Sequence, residues 1–451
     1  MCGIIGMISK KQQAVAPYLI QGLERLAYRG YDASGIATIT QGQIKLQKAA
    51  GKISVLSQLL SKDPNQGSCG IAHTRWATHG AANDQNAHPH QAGPIALVHN
   101  GIVENYASLK KTLEDKGASF LSQTDSEVVA QLLFSLDQDD VIQALKKTIP
   151  QLQGAFALAI IHQDHPEQMV VASYGQPVVL GESPEGYFIA SDRFAIAPYC
   201  QHITYLEDGD IAQINSDGWQ IFDRAFQAVS REAKLMQTDA LAMDKGPYRH
   251  YMQKEIFEQE QALAQTIKHW QEQYLNQPEF ETILARSKYI RIIACGTSYH
   301  AGLVAKYWLE DWANCPCEVE VASEYIYRKS VMPQDALFIA ISQSGETIDT
   351  IKALRQAKAQ GYKTMVICNV AHSTITQIAD LVLLTQAGQE IGVASTKAFT
   401  TQLAALYMIS AKLASLCDTS LELDAEFIDP LYQAVPMISQ CLQLKDQIAA
   451  L

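Results

Sequence analysis

Positive charge and long apolar runs are scarce in this sequence. Its 451 residues contain 35 lysines and arginines against 47 aspartates and glutamates, which gives a formal net charge of −12 at pH 7. General nucleic-acid binding needs a basic surface, so this balance argues against it. No apolar run reaches the roughly 18 residues of a membrane span, and the N-terminus has no charged segment followed by an apolar one. We therefore expect neither a membrane protein nor a signal peptide.

Disulfide and cofactor signatures are also missing. The nine cysteines are odd in number and scattered along the chain, a pattern typical of free thiols in the reducing cytoplasm. Cys315 and Cys317 are the one close pair, and without a second pair they do not indicate zinc. There is no Gly-x-Gly-x-x-Gly fingerprint and no Walker loop, which disfavours a dinucleotide or ATP. We expect a cytoplasmic protein that uses no metal and no cofactor.

One cysteine, Cys2, directly follows the initiator methionine. A methionine in front of a small residue is usually removed, and Cys2 would then carry a free α-amine beside its thiol. An α-amine has a reference pKa of about 7.7–8.0, so it can act as a base near neutral pH. Nucleophile and base would share one residue, as in an N-terminal threonine activated by its own amine. The alternative is a cysteine without function at a frayed terminus, and position alone does not decide between the two.

Residues 1–240 have the pattern of a mixed α/β domain with many short strands. Turn-forming residues bound several of the strands, and the helices carry apolar residues at three- and four-residue spacing. The predicted strands are Gly35–Thr40, Ile95–His99, Phe156–Ile161, Met169–Ser173, Tyr187–Ala190 and Asp210–Ile214. The predicted helices are Val15–Ala27, Tyr106–Lys116 and Ser126–Leu136.

The pattern changes after residues 241–250, a polar, turn-rich stretch that suits a linker. In residues 251–451, strand-like and helical runs alternate, which predicts a parallel sheet wrapped by helices. The predicted strands are Ile290–Cys295, Glu318–Ala322, Ala336–Ser342, Lys363–Asn369 and Leu381–Thr385. The predicted helices are Met252–Gln271, Ala301–Ala313, Thr347–Gln360 and Thr396–Leu416, followed by the helical tail Ala425–Leu451.

Three short segments of the first region carry groups suited to amide chemistry. Arg75, within the segment His73–Gly80, can grip a carboxylate with two hydrogen bonds. Asn100 and Gly101 offer a side-chain amide and a backbone N–H, the two donors that an oxyanion needs. Asp125 offers a carboxylate that could recognise a substrate amine. Each segment also has an ordinary structural interpretation, namely a strand-end turn, an Asn-Gly hairpin turn and a helix cap.

Five histidines lie close together in the first region, at positions 73, 79, 88, 90 and 99. The run from His88 to His90 could suggest a metal site. No His-Glu-x-x-His helix and no cysteine partner accompanies these residues. Packing and hydrogen-bonding roles are therefore favoured over metal binding.

Two hydroxyl-rich loops of the second region each follow a predicted strand and precede a predicted helix. They are Cys295–Ser298 and Ser342–Thr347. Hydroxyls and backbone amides at helix N-termini, beside the carboxyl ends of parallel strands, bind phosphate without a lysine. One such loop is weak evidence because serine and threonine are ordinary caps. Two loops in one sheet indicate a phosphorylated ligand, and a third loop, Gly392–Lys397, also opens a helix.

Taken together, these segments resemble the glutamine-dependent fructose-6-phosphate amidotransferases, the glucosamine-6-phosphate synthase family. The matching segments are Cys2–Gly6, Tyr28–Asp32, His73–Gly80, His99–Gly101, Thr124–Asp125, Tyr248–Glu255, Ala294–Ser298, Ser342–Thr347 and Glu390–Gln402. The resemblance covers essentially the whole chain. It implies an N-terminal-nucleophile (Ntn) glutaminase domain, an αββα sandwich, joined to one sugar isomerase (SIS) lobe with a doubly wound parallel sheet.

The resemblance also implies a role for each candidate residue. Cys2 would be the nucleophile, with Asn100 and Gly101 as the oxyanion hole. The residues around the glutamine would be Arg75, Trp76, Thr78, His79 and Asp125. Trp76 would also gate an ammonia passage towards the sugar. The sugar phosphate would be held by Thr297, Ser298, Ser342, Gln343, Ser344 and Thr347, with Val393 and Ser395 near the sugar.

The resemblance departs from the family's pattern at the C-terminus. Family members have two similar sugar isomerase lobes, and this chain resembles only the first. The family's Schiff-base lysine, isomerising glutamate and ring-opening histidine therefore have no counterpart here. The expected activity of this chain alone is glutamine hydrolysis through Cys2, and formation of glucosamine 6-phosphate from fructose 6-phosphate belongs to the complete family enzyme. A homodimer is expected because the family associates through its isomerase region.

Other functions are open at this point. A chain with one lobe could bind a sugar phosphate as a sensor or regulatory protein without catalysis. The amidotransferase that opens purine synthesis shares a terminal cysteine, but the Ser342–Thr347 loop argues against its phosphoribosyl-type domain. A plain glutaminase would leave the second region unexplained.

Overall fold

A computed structural model describes residues 2–27, 30–76, 80–137, 140–236, 245–331, 333, 335–371 and 373–450. The chain divides into two compact units, Met1–Ala240 and Leu241–Leu451. Five residues of the predicted motifs, Tyr28, Arg29, Ala77, Thr78 and His79, lie outside the described residues. The same holds for the first part of the predicted linker, residues 241–244.

The first unit is built from two antiparallel sheets and five α-helices among its described residues. The strands are β1 (Gly3–Ser9), β2 (Ala33–Thr40), β3 (Gln43–Ala50), β4 (Cys69–Arg75), β5 (His90–Ala92), β6 (Ile95–Val103), β7 (Gly154–His162), β8 (His165–Tyr174), β9 (Val179–Glu182), β10 (Gly186–Ala190), β11 (His202–Tyr205), β12 (Ile211–Asn215), β13 (Gly218–Phe222), β14 (Ala228–Val229) and β15 (Ala233–Leu235). The helices are α1 (Ala16–Arg25), α2 (Ile53–Lys62), α3 (Tyr106–Glu114), α4 (Asp125–Leu136) and α5 (Val141–Thr148). One sheet has the order β15-β11-β9-β10-β1-β4-β2-β3, and the other has the order β14-β13-β12-β8-β7-β6-β5.

Three apolar clusters stack these elements into four layers. One cluster lies between the two sheets, where Ile4 and Ile71 of the first sheet meet Val98 of the second. Another lies between the first sheet and helices α1 and α2, and a third lies between the second sheet and helices α3 to α5. Alternate residues of a strand face opposite sides, so β1 and β6 contribute to two clusters each. The predicted αββα sandwich is confirmed.

The second unit has one parallel sheet. Its strands are β16 (Tyr289–Ala294), β17 (Cys317–Val321), β18 (Ala336–Ser342), β19 (Lys363–Cys368) and β20 (Leu381–Leu384), in the order β17-β16-β18-β19-β20. Its helices are α6 (Tyr251–Phe257), α7 (Gln259–Gln273), α8 (Pro278–Arg286), α9 (Gly296–Ala313), α10 (Ala322–Ile326), α11 (Ile348–Ala359), α12 (Lys397–Cys417), α13 (Asp429–Leu442) and α14 (Lys445–Ala449). A short π-helix, Asp424–Ile428, precedes α13.

Helices cover the two faces of this sheet. One face packs on α7, α8, α9 and α12 through a cluster that includes Trp270 and Phe280. The other packs on α10 and α11 through a cluster that includes Tyr325 and Phe338. All seven residues of the central strand β18 are buried, as expected for a strand covered on two faces. The predicted doubly wound parallel sheet is confirmed.

The structure corrects two predicted helices. The predicted helix Met252–Gln271 is two helices, α6 and α7, with Glu258 between them. No glycine or proline marks this break. At the break, the carboxylate of Glu258 forms an ion pair with Lys397, 139 residues further along the chain, with Nζ and Oε2 2.7 Å apart. Helix α9 begins at Gly296 rather than at Ala301, so Thr297 and Ser298 lie in its first turn.

None of the helices in the described part of the chain is long and apolar enough to cross a membrane. The nine cysteines are all described, and each is a free thiol.

Candidate functional site

The nucleophile candidate lies at the start of a central strand. Cys2 directly precedes β1, whose seven residues are all buried, and β1 pairs with β4 in a register that sets Gly3 opposite Thr74. This register brings Cys2 beside the end of β4. The backbone N–H of Trp76 donates to Cys2 Sγ over 3.3 Å, and Sγ lies 3.6 Å from the carbonyl oxygen of Trp76.

The thiol of Cys2 is expected to be protonated at rest. Burial raises its pKa above the ordinary value, and the hydrogen bond from the Trp76 backbone opposes this shift. Burial disfavours the charged thiolate because the protein interior solvates charge poorly. A nucleophilic Cys2 therefore needs a base at the moment of attack.

The oxyanion candidates lie on the facing sheet. Asn100 Nδ2 donates to the backbone carbonyl of Cys2 over 3.2 Å. Asn100 and Gly101 lie inside β6, paired with Ala157 and Phe156 of β7, so the hairpin-turn interpretation of this Asn-Gly pair is wrong. Gly101 has φ +116°, and a Cβ there would overlap the carbonyl oxygen of Ala155. Only glycine suits that backbone.

Arg75 anchors the loop that follows β4. Arg75 is buried, and its guanidinium donates to the carbonyl oxygens of Ala81 at 3.0 Å and Gly80 at 3.3 Å. Asn86 fixes the same loop, because its Nδ2 donates to Ala81 and its Oδ1 accepts from the backbone of Gln123. The positive charge of the guanidinium acts on the Cys2 thiol and lowers its pKa, while backbone carbonyls hold the guanidinium in place.

Asp125 is the first residue of α4, and the N-cap is Thr124. Thr124 Oγ1 accepts from the backbone N–H of Glu127 over 3.3 Å, so Asp125 is not the helix cap. The Asp125 carboxylate is buried and accepts from the backbone N–H of Val103 over 2.9 Å. A negative charge at a helix N-terminus is favoured by the helix dipole. These contacts place the Asp125 carboxylate beside Val103, the last residue of β6, two residues beyond Gly101.

A buried polar layer lies behind Asn100. The rings of His73 and His88 are 4.1 Å apart, and those of His88 and His90 are 4.8 Å apart. Burial lowers the pKa of His73 to about 3 and holds the pKa values of His88 and His90 well below their usual range. These rings are therefore neutral near pH 7 and hydrogen-bond or pack. Within the described residues, no group of three or more histidine, cysteine or acidic side chains is arranged to hold a metal.

The two hydroxyl-rich loops of the second unit leave neighbouring strands. Ala294 at the end of β16 pairs with Ile341 near the end of β18. The chain passes from β16 to β17 on one side, while β18 lies on the other side, so the strand order reverses between β16 and β18. Ligands of open α/β sheets bind at such a switch point. Thr350 Oγ1 of α11 lies 3.9 Å from Cys295 Sγ, which links the first loop to the helix that follows the second.

Each of these loops leads directly into a helix. Neither N-cap, Cys295 for α9 and Thr347 for α11, makes a side-chain capping hydrogen bond. In the second loop Ser342 Oγ accepts from the backbone of Gly345 at 3.0 Å and lies 3.4 Å from Thr347 Oγ1. Unsatisfied N–H groups at a helix start are a ready anion site.

The predicted phosphate residues differ in exposure. Thr297 is exposed and Ser298 is buried in the first turn of α9. Ser344 Oγ accepts from the backbone of Glu346 over 3.2 Å, and the carbonyl of Gln343 accepts from Asn369 over 3.3 Å. The exposed hydroxyl of Thr297 is thus the most available side chain of the first loop.

Val393 and Ser395 lie on a third loop, in front of α12. The side chain of Val393 is 67% exposed, and Ser395 Oγ donates to Glu390 over 3.0 Å. The carboxylate of Glu255, from α6, accepts the backbone N–H groups of Ile391 and Gly392. Two glutamates therefore fix a loop that has little regular structure of its own.

Sequence analysis missed the residues that hold these loops. Glu127 accepts the backbone N–H groups of Leu121 and Ser122, and its spacing from Thr124 is that of a capping box, which was a usable signal. Glu255 has no such signal, because its partner Ile391 is 136 residues away. His73 was assigned only a general hydrogen-bonding role, although its Nε2 lies 3.1 Å from Asn100 Oδ1.

Comparison with known proteins identifies two domains and several close relatives. Residues 73–198 match a glutamine amidotransferase domain, and residues 283–412 match a SIS domain. The glutamine–fructose-6-phosphate aminotransferase (isomerizing) of Shewanella oneidensis is 44% identical over 463 residues, which cover 100% of this chain and 75% of that protein. The protein of the same name from Zymomonas mobilis is 47% identical over 421 residues, 92% of this chain and 69% of that one. A solved structure, the C-terminal domain of glucosamine-fructose-6-phosphate aminotransferase from Francisella tularensis, has 44% identity and a TM-score of 0.44, covering 46% of this chain and 59% of that chain.

Proposed function

Since the chain belongs to the family of glutamine–fructose-6-phosphate aminotransferases (isomerizing), we propose that it takes part in the glutamine-dependent amination of fructose 6-phosphate. The first unit releases ammonia from glutamine, and the second holds the sugar phosphate. The proposal depends on one observation above all: Cys2 accepts hydrogen bonds from both neighbours, from the Trp76 N–H at Sγ and from Asn100 Nδ2 at its carbonyl oxygen.

Glutamine hydrolysis proceeds through a thioester in this proposal. After removal of Met1, the α-amine of Cys2 takes the thiol proton through water, and the sulfur attacks the side-chain amide carbon. Asn100 Nδ2 and the Gly101 N–H stabilise the oxyanion. The carbon–nitrogen bond breaks, ammonia leaves with the transferred proton, and water then hydrolyses the thioester to glutamate.

The remaining residues of the first unit bind glutamine. Asp125 pairs with the α-ammonium group of the substrate, and Arg75 with its α-carboxylate. Trp76, which directly follows β4, completes the pocket. Thr78 and His79 are assigned to glutamine binding by the resemblance alone. The charges of Arg75 and Asp125 both act on the Cys2 thiol, and this proximity to the reacting sulfur supports the assignment.

The test is the release of glutamate from glutamine by the purified chain as a function of pH. Burial raises the thiol pKa of Cys2, so the resting thiol stays protonated and the rate follows the free amine. Because the amine must be neutral to accept a proton, kcat/KM should rise with pH through the amine pKa, about 7.7–8.0 in reference compounds. Glutamate release at the background rate across this range would refute the proposed hydrolysis.

In the second unit, the loops after β16 and β18 bind the phosphate of the sugar. Thr297, Ser298, Ser342, Gln343, Ser344 and Thr347 supply hydroxyls, amides and helix N-termini at the switch point, and Val393 and Ser395 flank the sugar. The alternative of a non-catalytic sugar-phosphate sensor is supported by none of the relatives described above. We also propose a cytoplasmic, homodimeric protein, in keeping with nine free thiols and with the resemblance.

Replacing Ser342 by alanine should weaken fructose 6-phosphate binding by roughly 5- to 30-fold, the effect of one lost hydrogen bond to a charged group and the loop it orders. Ser415→Ala is the matched control, since Ser415 lies in the last turn of α12, at the opposite end from that helix's loop. Titration calorimetry with fructose 6-phosphate and with inorganic phosphate measures the change. Equal affinity in both variants would exclude the Ser342–Thr347 loop as the phosphate site.

A further inference from the structure

The side-chain amide of Asn100 is held at both of its ends. Its Nδ2 donates to the Cys2 carbonyl over 3.2 Å, and its Oδ1 lies 3.1 Å from His73 Nε2. An amide nitrogen carries two protons, so one remains for an oxyanion when the other is engaged. A flipped amide would turn an oxygen towards the Cys2 carbonyl and remove the donor from the reacting centre. The bond to Oδ1 therefore selects the useful orientation.

His73 joins the strand of the nucleophile to the strand of the oxyanion donor. It lies on β4, paired in register with Ile4 of β1, two residues beyond Cys2. Asn100 lies on β6 of the other sheet. Their hydrogen bond crosses from one sheet to the other and fixes the distance between Asn100 and the strands that carry Cys2 and His73.

The chemical form of His73 follows from its surroundings. The ring is fully buried, beside the ring of His88 at 4.1 Å. Burial, the nearby ring of His99 and the charge of Arg75 lower its pKa, to about 3. A neutral imidazole has a single N–H, and the oxygen of Asn100 only accepts. Nε2 must therefore carry the proton, and His73 does not act as an acid or base near pH 7.

We propose that His73 is a positioning residue for glutamine hydrolysis, which holds the Asn100 amide with its nitrogen towards the oxyanion by donating from Nε2 to Oδ1. This inference rests on the proposed function of the first unit. His73 does not touch the substrate and acts only through Asn100.

The test compares three variants, made at two histidines that are both buried. His73→Gln keeps an N–H donor near the position of Nε2, whereas His73→Phe fills the space without a donor. His88→Phe is the matched control, because His88 is buried in the same layer and its two ring nitrogens have no hydrogen-bond partner among the described residues. Removing one oxyanion donor costs about 10²–10³ in kcat, so we expect kcat to fall roughly 10- to 100-fold in His73→Phe with little change in KM. His73→Gln should regain most of the rate, and His88→Phe should stay within about 3-fold of the unchanged chain.

Alkylation by iodoacetamide distinguishes a variant that has lost only the orientation of the Asn100 amide from one whose structure around Cys2 is disturbed. This reaction needs the Cys2 thiol but no oxyanion, so peptide mass spectrometry should find the same Cys2 alkylation rate in all three variants. Equal loss of kcat in His73→Gln and His73→Phe, or slowed alkylation in His73→Phe alone, would overturn the inference.

The inference can also be tested without activity. If the unchanged chain releases no glutamate, the proposed function fails, and nitrogen-15 NMR of histidine-labelled protein decides the fate of His73 independently. A proton on Nε2 of His73 at pH 7 that shifts in Asn100→Ala supports the hydrogen bond. A proton on Nδ1, or no response to Asn100→Ala, contradicts it.

Discussion

Replacing Cys2 by alanine should lower glutamate release at least about 10⁴-fold, because no other group can form the thioester and loss of a nucleophile in comparable enzymes has effects of this size. The change should leave the fold intact. The thiol makes its described hydrogen bonds only to the backbone of Trp76, and alanine is accommodated in its place. Binding of glutamine, measured by calorimetry, should therefore persist in the variant while turnover is lost.

The matched control for this variant is Cys417→Ala. Cys417 is an exposed free thiol at the end of α12, and its loss should leave glutamate release unchanged. Turnover in Cys2→Ala within 10-fold of the unchanged chain would rule out covalent catalysis through Cys2, since a loss that small does not require a missing nucleophile.

Replacing Gly101 by alanine should impair both stability and catalysis. The backbone there has φ +116°, which costs a residue with a side chain about 1–3 kcal/mol. The new Cβ would also overlap the carbonyl oxygen of Ala155 in the paired strand β7, and overpacking of this kind adds roughly 1–3 kcal/mol. Relief of the overlap must move β6 or β7, and β6 carries Asn100. We expect kcat to fall about 10²-fold or more with the displaced oxyanion donors.

The variant Gly117→Ala separates the effect of backbone strain on stability from the effect of the Cβ overlap. Gly117 has φ +93°, and a Cβ there meets nothing within 4 Å. This control therefore has the backbone strain without the overlap, in the turn that follows α3. Pulse proteolysis in urea should show Gly101→Ala to be less stable than Gly117→Ala by roughly 1–3 kcal/mol. Equal stability of the two variants, with full activity in Gly101→Ala, would mean that β6 does not need glycine at this position.

Local patterns predicted most of the second unit. The boundaries of β18 agree at both ends, and those of β16, β19 and β20 agree within a residue or so, because strands buried on two faces are short, continuous apolar runs. Helix α9 was predicted to start too late. Its first turn is Gly296, Thr297 and Ser298, and these residue types have weak helix propensity.

The first unit illustrates what sequence patterns leave out. The candidates Cys2, Asn100 and Asp125 were found from their chemistry, but their proximity depends on strand register. Asn100 and Gly101 have the sequence of a hairpin turn, yet they lie inside β6. A local pattern cannot distinguish these two outcomes because the partner strand, β7, comes more than fifty residues later. The hydrogen bond between His73 and Asn100 also joins residues that are far apart in the sequence, so no local pattern predicts it.

The central claim is that Cys2 becomes the N-terminal residue and that its sulfur attacks glutamine. The most direct measurement is mass spectrometry of the chain after incubation with a glutamine-mimicking electrophile such as a diazo-ketone analogue. We expect an intact mass without Met1 and a single adduct, located on the sulfur of Cys2. A chain that retains Met1, or an adduct located on any of the other eight thiols, would contradict the account.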